Sequence, residues 1–172
     1  ETFEPQQPTN QQPRLHCMLL NVCSLGKHTI EIWDTITSTN HNVVFLTETW
    51  LKDSSAPDIA TATPTGYKMT HKDRPHRPRG GISIIHKDII RLTTTEDLPS
   101  PDMEHLNFYL HTDDKSTIKG TLAYRPPGPR TPFCNVISKI IAPSPWNPDT
   151  TSFSATSTFT STTPPTPTPP TC

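Results

Sequence analysis

The chain has 172 residues, enough for one domain, but only 31% are hydrophobic and its 21 prolines crowd toward the two ends, so the globular part is shorter than the chain. A net charge of -1 excludes global attraction to nucleic acid and leaves any such contact to a local patch. Cys17, Cys23, Cys134 and Cys172 form no CxxC pair, which speaks against a zinc site or disulfide framework and for a reducing compartment. The apolar runs are far too short to span a membrane, and no basic stretch followed by an apolar run opens the chain. The sequence therefore reads as intracellular, cytoplasmic or nuclear, with no membrane partner. Its start at Glu1 reads as that of a fragment.

Residues 1–13 are polar and rich in Gln and Pro, the composition of a disordered lead-in. Leu15 to Cys23 is a continuous apolar run of strand length, which predicts a strand buried on both faces. Ile30, Trp33 and Ile36 then repeat every three residues and predict an amphipathic helix over 27–39, closed by a turn at Asn40-His41-Asn42. Val43 to Glu48 is a second, β-branched strand that ends on a carboxylate. A loop with Pro57, Pro64 and Gly66 follows, then a short strand at Tyr67 to His71 and a basic turn from His71 to Gly81. Ile82 to Lys87, Leu106 to His111 and Thr117 to Tyr124 read as three more strands, the last stopped by prolines 126 and 127. Phe133, Ile137, Ile140 and Ile141 predict a closing helix. Strand, helix, strand, several strands and helix together imply an α/β architecture around a mixed sheet. From Ser144 to Cys172, ten Thr, seven Pro and five Ser leave no apolar periodicity, which predicts a disordered tail.

Four motifs sit at the ends of predicted strands: LNVCSL from Leu20, FLTETWL from Phe45, GY to RGG over 66–81, and LAYRPPGP from Leu122. In this order and spacing they resemble the endonuclease/exonuclease/phosphatase superfamily, and within it the apurinic-endonuclease-like domain of non-LTR (LINE-type) retrotransposons. The resemblance covers roughly residues 15–141. It implies an incomplete four-layered α/β sandwich of the DNase I-like kind, the first half of the domain, over residues 14–143. It also implies a magnesium-dependent hydrolase that nicks target DNA, with a reverse transcriptase domain downstream.

Residue by residue, the resemblance makes Glu48 the metal-binding carboxylate, a hard oxygen donor of the kind Mg²⁺ takes while keeping several waters. Without its flanking Leu-Thr-Glu-Thr-Trp context, Glu48 would be an ordinary solvated strand end. The resemblance makes Asn21 and Tyr124 catalytic, through an amide that organises the site and a phenol that donates to phosphate. Cys23 stands where this branch usually has Arg, which removes one bidentate contact to phosphate. Lys72, Arg74, Arg77, Arg79 and Arg125 are the candidate DNA contacts, although a basic turn is equally often a solvated loop.

The family's later motifs, Gly-Asp-Phe-Asn and Ser-Asp-His, are missing, so no histidine here takes the role of general base. Read with codons formed from the third base of one residue and the first two of the next, residues 154–158 can encode Gly-Asp-Phe-Asn. The tail over 144–172 is thus either a frameshifted remnant or a genuine Ser/Thr/Pro linker. The expected function is a truncated, inactive retrotransposon endonuclease. The alternatives are a non-catalytic nucleic-acid-binding remnant and a phosphatase branch of the same superfamily.

Overall fold

The computed structural model describes residues 14–52, 55–74, 79–95, 103–113 and 116–125, and the backbone of 150–158. Four strands form a first sheet in the order β1-β2-β4-β3: β1 (Cys17–Asn21), β2 (Val43–Thr47), β3 (Tyr67–Lys72) and β4 (Ile82–Lys87). Helix α1 (Thr29–Thr39) carries the chain between β1 and β2, which makes that pair parallel, while β2–β4 and β3–β4 are antiparallel. The second sheet has the order β5-β6-β7-β8, from β5 (Arg91–Thr94), β6 (Glu104–His111), β7 (Thr117–Arg125) and β8 (Thr150–Thr158). No helix among the described residues is long and apolar enough to cross a membrane.

The central strand β2 explains how the layers stack. All five of its residues are buried. Val43 and Phe45 point into a core shared with Ile82 and Ile84 of β4 and with Leu106, Phe108, Leu110, Leu122 and Tyr124 of the second sheet. Val44 and Leu46, on the alternate face, pack with Ile32, Ile36, Leu25, Ala62 and Ile85 under the helices. One strand with two buried faces therefore joins a sheet-on-sheet core to a helix-on-sheet core.

The predicted strands appear, with corrections. β1 is an edge strand with Leu19 half-exposed, so the double-sided burial expected of Leu15 to Cys23 belongs to β2 instead. On α1 the buried residues are Ile32 and Ile36, whereas Ile30 is 72% and Trp33 44% exposed. A spacing of three lags the 3.6-residue turn by about 60° per step, so the expected stripe drifts off the buried face, which i, i+4 spacing keeps. Asn40, at φ 51, closes α1 by donating its backbone N–H to Ile36 O, as left-handed caps do. The loop expected around Pro57 is helix α2 (Ala56–Ala62), because proline in a first helical turn gives up only an N–H that has no intrahelical partner. Strand β5 was not expected. Nor was β8, which runs parallel to β7 through a segment read as disordered; its threonines are good strand formers, and β7 offers it an edge. The lead-in 1–13, the helix expected over 133–141 and the rest of the tail lie outside the described residues.

Gly120 shows how tightly the sheet-on-sheet core is filled. It sits opposite Phe108 on β6, and a Cβ there would overlap the Phe108 ring. That ring is fully buried and packs against Phe45 at 5.5 Å between centroids. Gly-to-Ala in a strand is ordinarily neutral or stabilising, but here overpacking decides the sign. Gly120→Ala is expected to lower stability by about 1–3 kcal/mol, read as a reduced urea midpoint at unchanged m-value; an unchanged or raised midpoint would contradict this packing.

Candidate active site

Because β1 and β2 are parallel, their C-terminal ends emerge side by side, with Asn21 opposite Thr47 and Glu48 one residue further on. β4 runs antiparallel to β2, so the loop that enters β4 arrives at the same edge. Backbone bonds lace the three loops together: Ser24 N–H to Glu48 O (2.8 Å), Leu25 N–H to Thr49 O (2.9 Å), Thr49 N–H to Gly81 O (3.2 Å) and Trp50 N–H to Gly80 O (2.7 Å). Among the described residues, six non-glycine positions have positive φ, and five of them are here: Cys23, Ser24, Glu48, Trp50 and Arg79. Such conformations cost of order 1–3 kcal/mol each and persist where the surroundings over-determine them, commonly at functional sites. Gly80 and Gly81, at φ 84 and 86, complete the bend.

Glu48 is the focus of this edge. Its Oε1 accepts the Tyr124 hydroxyl, which comes from the other sheet. Its Oε2 accepts the Trp50 indole N–H at 2.6 Å and the Gly80 N–H at 3.2 Å. Two donors satisfy Oε2, while Oε1 keeps a lone pair that no described residue claims. Tyr124 is fully buried, and its ring belongs to the sheet-on-sheet core.

A second carboxylate, Glu104, lies nearby and was not anticipated. It stands opposite Tyr124 in the β6–β7 register. Its Oε2 accepts the Gly81 N–H at 2.6 Å, and its Oε1 is paired with the Arg74 guanidinium. The two carboxylates thus take two successive backbone amides, Gly80 to Glu48 and Gly81 to Glu104. Burial raises the Glu104 carboxyl above its ordinary range, and the Glu48 charge adds to this, against the smaller pull of Arg74 and the Gly81 N–H.

Of the site residues expected from sequence, the structure brings Glu48 and Tyr124 into direct contact and sets Asn21 at the adjacent strand end. The Asn21 side-chain oxygen accepts the Cys23 N–H at 3.3 Å. The expected DNA contacts are spread apart. Lys72 donates through Nζ to His105 O at 2.9 Å, and Arg74 is tied to Glu104. Arg79 lies over the Trp50 ring, its Cζ 5.1 Å from the centroid. Arg125 ends β7 one residue beyond Tyr124, and Arg77 lies outside the described residues. Trp50 was within reach of sequence, in the LTETW motif; finding Glu104 needed the strand register.

The groups bound to Glu48 are O–H and N–H hydrogen-bond donors, so the metal-ligating atom on offer is the lone pair that Oε1 keeps, and among the described residues no group of three or more His, Cys, Asp or Glu converges. That arrangement fits a hard divalent cation held by one carboxylate oxygen and retaining waters.

No family model and no curated protein matches the chain. Among solved structures, the human Nocturnin catalytic domain with bound sulfate matches 73% of this chain and 56% of its own, at 13% identity and a TM-score of 0.50. AP endonuclease LMAP from Leishmania major matches 73% and 44%, at 18% identity and 0.48. An AP endonuclease from Archaeoglobus fulgidus matches 64% and 41%, at 14% and 0.47. The chain spans about half the length of these structures. Its two packed sheets form a partial α/β sandwich of the DNase I-like kind, as the resemblance implied.

The raised Glu104 carboxyl has a pH signature. Its folded pKa lies above the unfolded one, so its stabilising contribution is full below the ordinary carboxylate value, about 4.3, and fades as pH rises through the raised folded value. The stability of the natural chain relative to Glu104→Gln is therefore expected to decline as pH is raised from about 4 toward neutrality. Thermal melts of both proteins across that range check this; a difference that grows with pH would contradict it.

Proposed function

We propose that the chain carries the metal-binding part of a phosphodiesterase that cuts nucleic acid, and that the intact enzyme is a DNA-nicking endonuclease of the kind found in non-LTR retrotransposons. The observation that supports this most directly is the holding of Glu48 by donors from two sides of the sandwich, Tyr124 on β7 and Trp50 and Gly80 in loops of the first sheet. A carboxylate clamped in one orientation, with an oxygen lone pair to spare, suits a fixed cation better than a flexible surface role.

In this reading Glu48 holds Mg²⁺, which when bound supplies positive charge for the scissile phosphate and the leaving oxygen. Tyr124 fixes the carboxylate through Oε1, and Trp50 and Gly80 fix it through Oε2. Tyr124 was expected to donate to phosphate; in this geometry its hydroxyl is given to Glu48, so its part is to orient that carboxylate. Asn21, at the neighbouring strand end, is proposed to turn its amide toward the same phosphate. The general base and the Asp and Asn that the resemblance calls for have no counterpart among the described residues. Loss of a base typically costs ~10²- to 10⁴-fold in rate. In this reading the chain by itself has at most residual activity, and the intact enzyme supplies the remaining residues of the site and a reverse transcriptase domain after it.

Two measurements test this. Trp50 donates to Glu48, so titration with Mg²⁺ or Mn²⁺ is expected to change tryptophan emission saturably, and Glu48→Gln is expected to abolish the change. Any nicking of supercoiled plasmid with Mg²⁺ is expected to be slow at most and to vanish in EDTA or in Glu48→Ala. Nicking that survives either treatment, or an emission change retained in Glu48→Gln, would remove Glu48 from the chemistry.

A further inference from the structure

The positive charges around this edge are not equivalent. Arg74 is 16% exposed and its charge is matched by Glu104, so it is not presented to a ligand. Lys72 is exposed, but its Nζ is tethered to the β6 backbone at His105 O. Arg79 and Lys27 are exposed and face the same aromatic ring, with Arg79 Cζ 5.1 Å and Lys27 Nζ 5.8 Å from the Trp50 centroid. Among the described residues neither pairs with a carboxylate. An aromatic face attracts a cation without cancelling its charge, so the two are held in place yet remain available to an anion.

Their supports are rigid. Lys27 ends the 3-10 turn Leu25–Lys27, whose first residue bonds to Thr49 O. Arg79 precedes Gly80 in the loop bonded to Trp50 N–H, and both Arg79 and Trp50 are held at positive φ, 69° and 54°. The Trp50 ring that holds the cations is also the one whose N–H fixes Glu48.

We propose that Lys27, Trp50 and Arg79 form a subsite for the backbone phosphates of a nucleic-acid strand, immediately beside Glu48. This rests on the reading of Glu48 as the hydrolytic carboxylate and narrows it: the strand is gripped across the β2–α2 loop, between Lys27 and Arg79, and not along the basic β3–β4 turn as a whole. Trp50 then serves two sites at once, guiding the cations that seat the strand and orienting the carboxylate that faces the phosphate to be cut.

Fluorescence anisotropy of the full chain with a labelled oligonucleotide, single-stranded and duplex, in EDTA at several salt concentrations, tests this without calling on metal or cleavage. Each bound phosphate contributes a salt slope of roughly 0.7 to 0.9. Lys27→Gln and Arg79→Gln are each expected to weaken binding and flatten the slope by about 1, while Arg91→Gln, at an exposed position of β5, leaves it unchanged. Trp50→Leu removes no charge but releases both cations, and is expected to weaken binding by about 2- to 5-fold. Circular dichroism confirms that each variant is folded, and the two exposed glutamine variants carry the test if Trp50→Leu is not. Equal loss in Arg91→Gln, unchanged slopes in Lys27→Gln and Arg79→Gln, or no binding of either oligonucleotide by the natural chain would overturn the subsite. Binding that behaves as expected in a chain whose tryptophan emission never responds to Mg²⁺ or Mn²⁺ keeps the subsite and discards the reading of Glu48 as the metal-binding carboxylate. Glu48-dependent nicking with unaltered binding in the variants does the reverse.

Discussion

The hydrogen bond from Tyr124 to Glu48 is the constraint around which the rest of this molecule is arranged. Its partners are 76 residues apart and belong to different sheets, so it forms only when the two sheets are correctly stacked. A hydrogen bond to a charged group contributes about 1.5–3 kcal/mol, and its loss would strand a buried phenol. The same bond fixes the carboxylate on which the proposed chemistry depends. Stability and function therefore meet in one contact, and the strained backbone around it is the local cost of bringing three loops to one place.

Two carboxylates at this edge show how environment separates roles. Glu48 and Glu104 each accept one of two successive glycine amides. Glu104 also takes a guanidinium, and burial keeps its carboxyl above the usual range. Glu48 takes two neutral side-chain donors and no cation from a described residue. A carboxylate already paired with arginine has little to offer a metal, whereas one held by neutral donors has no competing cation. The basic residues divide in the same way: Arg74 is spent internally, and Arg79 is displayed on an aromatic ring.

How much of this was legible in the sequence follows from the range of each interaction. β2, β4 and the core of β7 announce themselves by apolar, β-branched runs, and the carboxylate at the end of β2 is visible at once. Helix α1 was legible as an element but not in its facing, because the spacing of Ile30, Trp33 and Ile36 does not identify which side the sheet will cover. Helix α2 was hidden by reading Pro57 as a breaker when it stands in a first turn. β8 was hidden by the absence of apolar alternation in a Thr/Ser segment, where the neighbouring edge of β7 supplies what pattern does not. Glu104 precedes a predicted strand and carries no motif; only the β6–β7 register sets it against Tyr124. The charges of Lys72, Arg74 and Arg79 were countable, but their partners were not, since each lies in another element.

The placement of the polar contacts suggests how such a sandwich fixes its own alignment. Between the sheets the interior is apolar, from Val43 through Phe108 to Leu122, and apolar packing is non-directional. Directional ties between the sheets gather at the rim: Tyr124 to Glu48, Arg74 to Glu104, Gly81 to Glu104 and Lys72 to His105 O. A sliding of one sheet over the other by a single residue would keep much of the buried area yet break all four and leave buried charges unpaired, which costs several kcal/mol. The apolar core thus drives association while the polar rim selects the register. The rim that selects the register is also the candidate active site, so correct stacking of the sheets and assembly of the site are the same event.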